Sequence, residues 1–202
     1  MNTHSASKLF TPVTIGPLTL RNRTIRSAAF ESMCPGNAPS DMLLNYHRSV
    51  AAGGIGMTTV AYAAVTRSGL SFDRQLWMRP EIIPGLRRLT DAVHAEGAAA
   101  GIQLGHCGNM SHKSICGCTP VGASGGFNLY SPTFVRGLRA DELPELARAY
   151  GRSVNLAREA GFDAVEMQAR NGYLISKFLS PVTNHRKDEF GGSLQNRIRF
   201  MD

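Results

Sequence analysis

The sequence predicts an α/β fold with a parallel sheet, namely a (β/α)8 barrel of which about four strand–helix units are present, preceded by a β-hairpin. Segments with the pattern of buried strands alternate with amphipathic helical segments, and a short link joins each helix to the next strand. Parallel strands connected by right-handed helical crossovers have this order. A complete barrel takes eight units in about 250 residues, so the 202 residues correspond to half of one.

A doubly wound sheet is the other fold that this alternation allows. A sheet of that kind that binds a dinucleotide carries a Gly-x-Gly-x-x-Gly turn after its first strand. Here the first predicted strand covers residues 24–29, and no glycine occurs from Ser27 to Glu31. The barrel is therefore the preferred prediction.

The first half of the chain predicts the hairpin, three strands and two helices. Residues 13–20 alternate around Gly16-Pro17, as in a short hairpin. In each helix apolar side chains recur at helical spacing and a glycine follows, and Ser40 or Asp41 caps the first helix. The elements after the hairpin are strand 24–29, a helix ending near residue 52, strand 55–62, helix 81–96 and strand 99–104.

The second half begins with a long loop over residues 105–140 that is rich in glycine, serine and proline. A loop of this length either covers a substrate or contains small elements that the sequence does not resolve. Asp141 is the predicted N-cap of a helix that ends at Gly161, and strand 163–167 follows.

The segment 184–197 is predicted to be architectural. Gly191-Gly192 favours a tight turn and Ser193 caps a short helix. Arg186 and Asp188 are placed to hold the loop by charge-assisted hydrogen bonds.

The composition is that of a globular protein, with 43% hydrophobic and 18% charged residues. No apolar run approaches the roughly 20 residues that a membrane span needs, and residues 1–8 are polar with no apolar segment behind them. We therefore expect no membrane association and a cytoplasmic location. The net charge of +7 comes from basic residues that are scattered singly, which predicts a solvated surface and no nucleic-acid partner.

The four cysteines, Cys34, Cys107, Cys116 and Cys118, do not match a metal pattern, because one residue separates the last two. Free thiols in a reducing compartment are expected, and no metal. His106-Cys107 allows a Cys/His nucleophile as a less favoured alternative, since no acid that would orient the histidine is identifiable.

Four segments of the chain have a distinctive combination of residues. They are Gln103-Leu104-Gly105-His106, Asn171-Gly172-Tyr173-Leu174, Phe178-Leu179-Ser180-Pro181 and the run Asn184-His185-Arg186 to Asn196-Arg197. Together they resemble one family, the Old Yellow Enzyme group of FMN-dependent NAD(P)H oxidoreductases, and the resemblance runs from about residue 9 to the end of the chain. It implies that residues 1–202 are a single domain, the N-terminal half of an FMN-binding barrel that has been truncated.

The resemblance also implies a cofactor site at the carboxyl ends of the strands, where barrels place their chemistry. Ser27, Ala28, Ala29 and Ala61 would present backbone groups to the FMN ring, and NAD(P)H would be the reductant. Gln103 would face the pyrimidine edge, where a carboxamide can both donate and accept a hydrogen bond.

For catalysis, the resemblance implies that Gln168 and Asn171 hold the carbonyl oxygen of a small unsaturated substrate while hydride passes from the flavin to its β-carbon. Tyr173 would protonate the α-carbon as the general acid, with a plain packing role as the alternative. The chain departs from the family at Gln168, where histidine is usual, and at Arg170, where a small residue is usual.

Two other functions remain open. One is a catalytically silent half-barrel that serves as an assembly or interaction module, and the other is an amine-type dehydrogenase on the same scaffold. Four strands alone leave two open sheet edges, so self-association or completion by the missing C-terminal half is also expected.

Overall fold

The computed structural model describes residues 7–129 and 132–201, which form nine strands and six α-helices. The strands are β1 (Val13–Ile15), β2 (Leu18–Leu20), β3 (Ile25–Arg26), β4 (Met57–Ala64), β5 (Ala99–Gly105), β6 (Val121–Gly122), β7 (Gly126–Asn128), β8 (Thr133–Gly137) and β9 (Ala164–Met167). The helices are α1 (Asp41–Ala52), α2 (Ile83–Ala95), α3 (Lys113–Cys116), α4 (Leu143–Glu159), α5 (Leu174–Leu179) and α6 (Leu194–Ile198). Among the described helices, none combines the length and the apolar character that crossing a membrane requires.

The centre of the molecule is a four-stranded sheet in the order β3-β4-β5-β9, and every neighbouring pair in it is parallel. This confirms the predicted partial barrel. Gln103 of β5 lies opposite Glu166 of β9. The register of β4 with β5 shifts between Val60 and Ala63, which marks a bulge near the carboxyl end of β4.

Helices α1, α2 and α4 cover one face of this sheet. Ile102 and Leu104 of β5 point into that interface and are fully buried, as are Leu43, Leu86 and Leu89 on the helices. The opposite face carries small or polar residues, among them Gly101, where a Cβ would lie 3.1 Å from Thr59 Oγ1. In a (β/α)8 barrel, the face opposite the helices lines the interior of the barrel.

The first barrel strand is shorter than predicted, since β3 covers only Ile25–Arg26 and not residues 24–29. The backbone leaves the sheet after Arg26 because the neighbouring strand β4 is bound there by a side chain. The Ala61 N–H of β4 donates to the Glu31 carboxylate at 3.2 Å and not to a backbone carbonyl of β3. A pattern of apolar residues cannot reveal such a long-range replacement.

The predicted N-cap is correct for α1 and wrong for α4. Ser40 is the N-cap of α1, where its Oγ accepts the Leu43 N–H at 3.2 Å. The prediction for Asp141 was wrong, because a 3-10 turn over Ala140–Glu142 precedes α4 and the carboxylate accepts instead from Arg139 Nε at 3.0 Å.

The predicted loop 105–140 contains the helix α3 and the three small strands β6, β7 and β8. β8 pairs in parallel with β6 and antiparallel with β7. Arg186 holds this excursion against the later loop, because its Nη1 donates to the carbonyls of Ala123, at 3.0 Å, and Leu138. The same guanidinium binds Asp188, with 2.9 Å between Nε and Oδ1, as predicted.

Asp188→Asn is expected to lower the free energy of unfolding at neutral pH, because it removes the charged partner of Arg186. The loss should be only about 1 kcal/mol, because the Asp188 side chain is 37% exposed and solvent screens the pair. Hydrogen bonding to Arg186 lowers the pKa of the Asp188 carboxyl below its usual 3.8. The lowered pKa means that the ionised Asp188 carboxyl stabilises the folded state. This stabilisation is fully present above pH 3.8 and is lost as the pH falls through the pKa of the folded state. Urea unfolding at pH 7 and near pH 3 measures both effects.

The matched control is Asp141→Asn, whose carboxylate is 70% exposed. A loss for Asp188→Asn no larger than that of the control, or one that persists undiminished in acid, would contradict the assigned contact.

Candidate functional site

The carboxyl ends of the four parallel strands lie along one edge of the sheet. Gln103 is buried near the end of β5, and Gln168 directly follows β9, its N–H donating to the Leu104 carbonyl at 2.8 Å. Ala61 is buried in β4. Ser27–Ala29 follows β3 and is partly exposed. The predicted cofactor residues therefore all lie at this edge.

A relay of hydrogen bonds runs through the two glutamine carboxamides. Gln168 Nε2 donates to Gln103 Oε1 at 3.1 Å, and Gln103 Nε2 donates to Glu166 Oε1 at 2.5 Å. The Arg170 N–H donates to Gln168 Oε1 at 3.1 Å. Both carboxamides are thus held in one orientation. Because each NH2 group has two hydrogens, each has one left for a ligand.

Gly105 brings Tyr62 and Gln168 together. A Cβ at Gly105 would lie 2.9 Å from Tyr62 Cδ2 and 3.1 Å from Gln168 Cβ, so only glycine fits between them. The Tyr62 ring in turn lies 5.2 Å from the Tyr173 ring. These contacts place Gln168 and Tyr173 in one cluster, joined through Tyr62.

Both tyrosines are protonated at neutral pH. Burial raises the pKa of Tyr173 above its usual 10.0, and burial raises that of Tyr62 further. The Tyr62 hydroxyl is held by Ser71 Oγ at 2.8 Å. Tyr173 is only half-buried, and hydrogen bonding to Ser71 opposes part of the rise in its pKa. Tyr173 therefore keeps a proton that it can give to a ligand.

Asn171 and Gly172 form the turn that follows β9. Their φ angles are 61° and 70°, and the Tyr173 N–H donates to the Arg170 carbonyl at 3.2 Å. Positive φ at both central residues is the geometry that Asn-Gly favours. The Asn171 side chain is exposed and makes no hydrogen bond within the described part of the chain. The structure thus does not bring it into the relay.

Glu31 was not predicted to be an interacting residue at this edge. Its carboxylate is 6% exposed and lies 3.0 Å from Arg26 Nη2 and 3.4 Å from His47 Nε2. Since Glu31 also accepts the Ala61 N–H, Ala61 can meet a ligand only through its other atoms. The only signal in the sequence was a charged residue just after a predicted strand.

The Cys/His nucleophile is not supported. The Gly108 N–H donates to His106 Nδ1 at 3.0 Å, so the ring proton is on Nε2, which lies 3.2 Å from Ser68 Oγ. Burial lowers the pKa of His106 to about 4 and raises that of the Cys107 thiol. The Cys107 thiol donates to the Leu70 carbonyl at 3.3 Å and not to the histidine.

Comparison with known proteins identifies one family over nearly the whole chain. A model of the NADH:flavin oxidoreductase / NADH oxidase family matches residues 8–202. The chain is 42% identical over 200 residues to the 4,4'-dithiodibutanoate disulfide reductase of Rhodococcus erythropolis, and 37% identical over 201 residues to the NADPH dehydrogenase of Bacillus subtilis. These alignments cover 99% and 97% of the chain but 50% and 58% of the two proteins.

The structure is also similar to the Old Yellow Enzyme homologue of Zymomonas mobilis. The TM-score is 0.89 at 30% identity, over 96% of this chain and 57% of that one. The chain therefore spans about half the length of the relatives that it matches. It belongs to the NADH:flavin oxidoreductase / NADH oxidase family, whose enzymes carry FMN and are reduced by NAD(P)H.

Proposed function

We propose that residues 1–202 are a single domain, the N-terminal half of an FMN-dependent NAD(P)H oxidoreductase that reduces the activated C=C bond of small α,β-unsaturated carbonyl compounds. The observation that carries this proposal is the convergence of Gln103, Gln168 and Tyr173 at one edge of the sheet, linked by the carboxamide relay and by Gly105. Four free cysteines are compatible with a cytoplasmic enzyme.

The residues at this edge suit a flat, polar ring. Ala28, Ala29 and Ala61 have small side chains, so a planar group can come close to the backbone there. Gln103 keeps one N–H and one lone pair beyond the relay, which matches the alternating donors and acceptors of a flavin pyrimidine. FMN, when bound, supplies the hydride that it receives from NAD(P)H.

Gln168 would bind the substrate's carbonyl oxygen through the Nε2 hydrogen that the relay leaves free. Its other hydrogen is committed to Gln103, so the amide is oriented before the substrate arrives, which makes a donor more effective. A neutral amide stabilises developing negative charge less than a cationic donor, by about 1–2 kcal/mol. Asn171 would add a second donor when its exposed side chain turns inward.

Tyr173 would deliver the proton to the α-carbon. Burial keeps it protonated, and its half-exposed position leaves the hydroxyl within reach of a ligand. The Tyr62 ring supports it from one side, at 5.2 Å.

The open edge of the sheet is where we propose that the rest of the barrel joins. Met167 on the last strand is 44% exposed and lines a cavity of about 330 Å³ with Tyr150, Ile175 and Phe200. At the other edge, Ile25 is also 44% exposed. Further strand–helix units, or a second copy, would cover these side chains.

The experiment is to purify the full-length protein, record its flavin spectrum, and follow oxidation of NADH and NADPH with and without cyclohexenone. The proposal expects bound FMN, and NAD(P)H consumption that requires the enone. Protein that stays colourless after FMN is added would instead support the silent module. Bound flavin that an amine reduces, with no turnover of the enone, would support the dehydrogenase.

Reduction of an organic disulfide is a second candidate, because the relative with 42% identity is a disulfide reductase by name. Replacing cyclohexenone by 4,4'-dithiodibutanoate in the same assay tests it. NAD(P)H consumption with the disulfide alone would favour this candidate over enone reduction.

A further inference from the structure

Cys116 and Cys118 form a close pair of thiols on the excursion after β5. Cys116 is the last residue of α3, and Gly117 follows with a φ of 75°, a left-handed conformation that turns the chain back. The two Sγ atoms lie 3.9 Å apart. The distance is too long for a bond but puts each sulfur beside the other.

Cys118 faces a cavity of about 610 Å³, and none of the residues that line this cavity belongs to the carboxamide relay. Cys118 lines it together with Ser68, Val121, Arg136 and Leu146. Cys118 is partly exposed, whereas Cys116 is buried and its Sγ lies 3.3 Å from the His112 carbonyl. Cys118 is therefore the thiol that a small molecule in this cavity can reach, and the Cys116 sulfur lies 3.9 Å from it.

We propose that Cys116 and Cys118 are a reversible dithiol–disulfide site that exchanges with small organic disulfides entering this cavity. The thiolate of Cys118 attacks one sulfur of the disulfide, whose S–S bond breaks, and the first thiol product leaves with a proton from solvent. Cys116 then loses its proton to solvent and attacks the Cys118 sulfur, which releases the second thiol. The compound gains two electrons, and the protein is left with a Cys116–Cys118 disulfide.

The geometry permits the second step. The sulfurs must approach by about 1.9 Å to reach a bond length near 2.05 Å, and they lie on either side of a glycine that lacks a Cβ. A methyl group at Gly117 would meet nothing closer than Arg67 Nε at 3.5 Å, so the turn has room to adjust. A disulfide across one residue is strained and is thus easily reversed by excess thiol.

The two other cysteines lack these features and serve as internal controls. Cys34 and Cys107 are buried, and neither lines the cavity that Cys118 faces. Burial raises the pKa of Cys34 to about 12 and that of Cys107 well above its usual value. Burial also raises the pKa of Cys118, while Arg136 and Arg67 oppose this shift.

The test treats the native full-length protein with dithiobis(nitrobenzoate), a coloured aromatic disulfide, in the absence of NAD(P)H. Trypsin cuts after Lys113 and Arg136, so both thiols are in one peptide, residues 114–136. The expected result is a peptide that has lost two hydrogens and carries no nitrothiobenzoate, with release of two coloured thiols for each pair. Cys116→Ser should instead retain one nitrothiobenzoate on Cys118, because the thiol that completes the exchange is missing.

The wild-type peptide decides the proposal even if the variants fail to fold. A peptide that carries two nitrothiobenzoate groups, remains unmodified, or is linked to another chain would overturn it. Because no flavin or nicotinamide takes part, the result is independent of whether enone reduction is observed. Oxidised glutathione, used in the same way, tests whether an aliphatic disulfide also reacts.

Discussion

Tyr173→Phe is expected to slow reoxidation of the reduced full-length enzyme by cyclohexenone about 10²- to 10⁴-fold, the usual contribution of a positioned general acid. The rate of reduction by NAD(P)H should change little, because that step needs no proton on the α-carbon of an enone. The ring remains in phenylalanine, so the packing against Tyr62 is kept. Stopped-flow absorbance of the flavin measures the two half-reactions separately.

The matched control is Tyr150→Phe. The Tyr150 hydroxyl is buried and has no hydrogen-bond partner among the described residues, so its removal should leave both half-reactions within about twofold. Equal losses in both half-reactions of the Tyr173 variant would show that Tyr173 acts through packing or flavin binding and not as the acid.

Arg26→Met is expected to lower the free energy of unfolding by about 3–5 kcal/mol, because it leaves the Glu31 carboxylate buried without its cationic partner. Glu31 is 6% exposed and Arg26 is 15% exposed. Arg26 also donates to the Thr59 carbonyl at 2.7 Å, which the variant leaves without that donor. Urea unfolding of the full-length protein at neutral pH, followed by circular dichroism, measures the loss.

Arg88→Met is the control, because it removes an arginine whose ion pair is exposed to solvent. Its ion pair with Asp41 joins side chains that are 67% and 76% exposed, and a pair of that kind contributes about 0–1 kcal/mol. If the double variant Arg26→Met, Glu31→Gln is no more stable than Arg26→Met alone, the unpaired carboxylate is not the cause.

The parallel sheet was predictable because local patterns determine it. Apolar residues at helical spacing gave α1, α2 and α4, and short apolar runs between them gave β4, β5 and β9. Such patterns arise because one face of each element is buried, and the residues within a short segment are enough to identify that face. The absence of glycine after the first predicted strand then favoured the barrel over a dinucleotide-binding sheet.

Features that depend on distant residues were not predictable. The early end of β3 follows from a carboxylate that binds the Ala61 N–H across 30 positions of sequence. The relay joins Gln103 to Gln168 across 65 positions, and nothing local to either residue indicates the partner. The small strands β6, β7 and β8 are two to five residues long, too short for a periodic pattern.

The close fit at Gly105 has a consequence for attempts to alter the enzyme by directed evolution. Even an alanine there would push Tyr62 and Gln168 apart, so such a library member would lose activity although its new methyl group never meets a ligand. Randomisation aimed at new substrates should therefore keep codon 105 fixed.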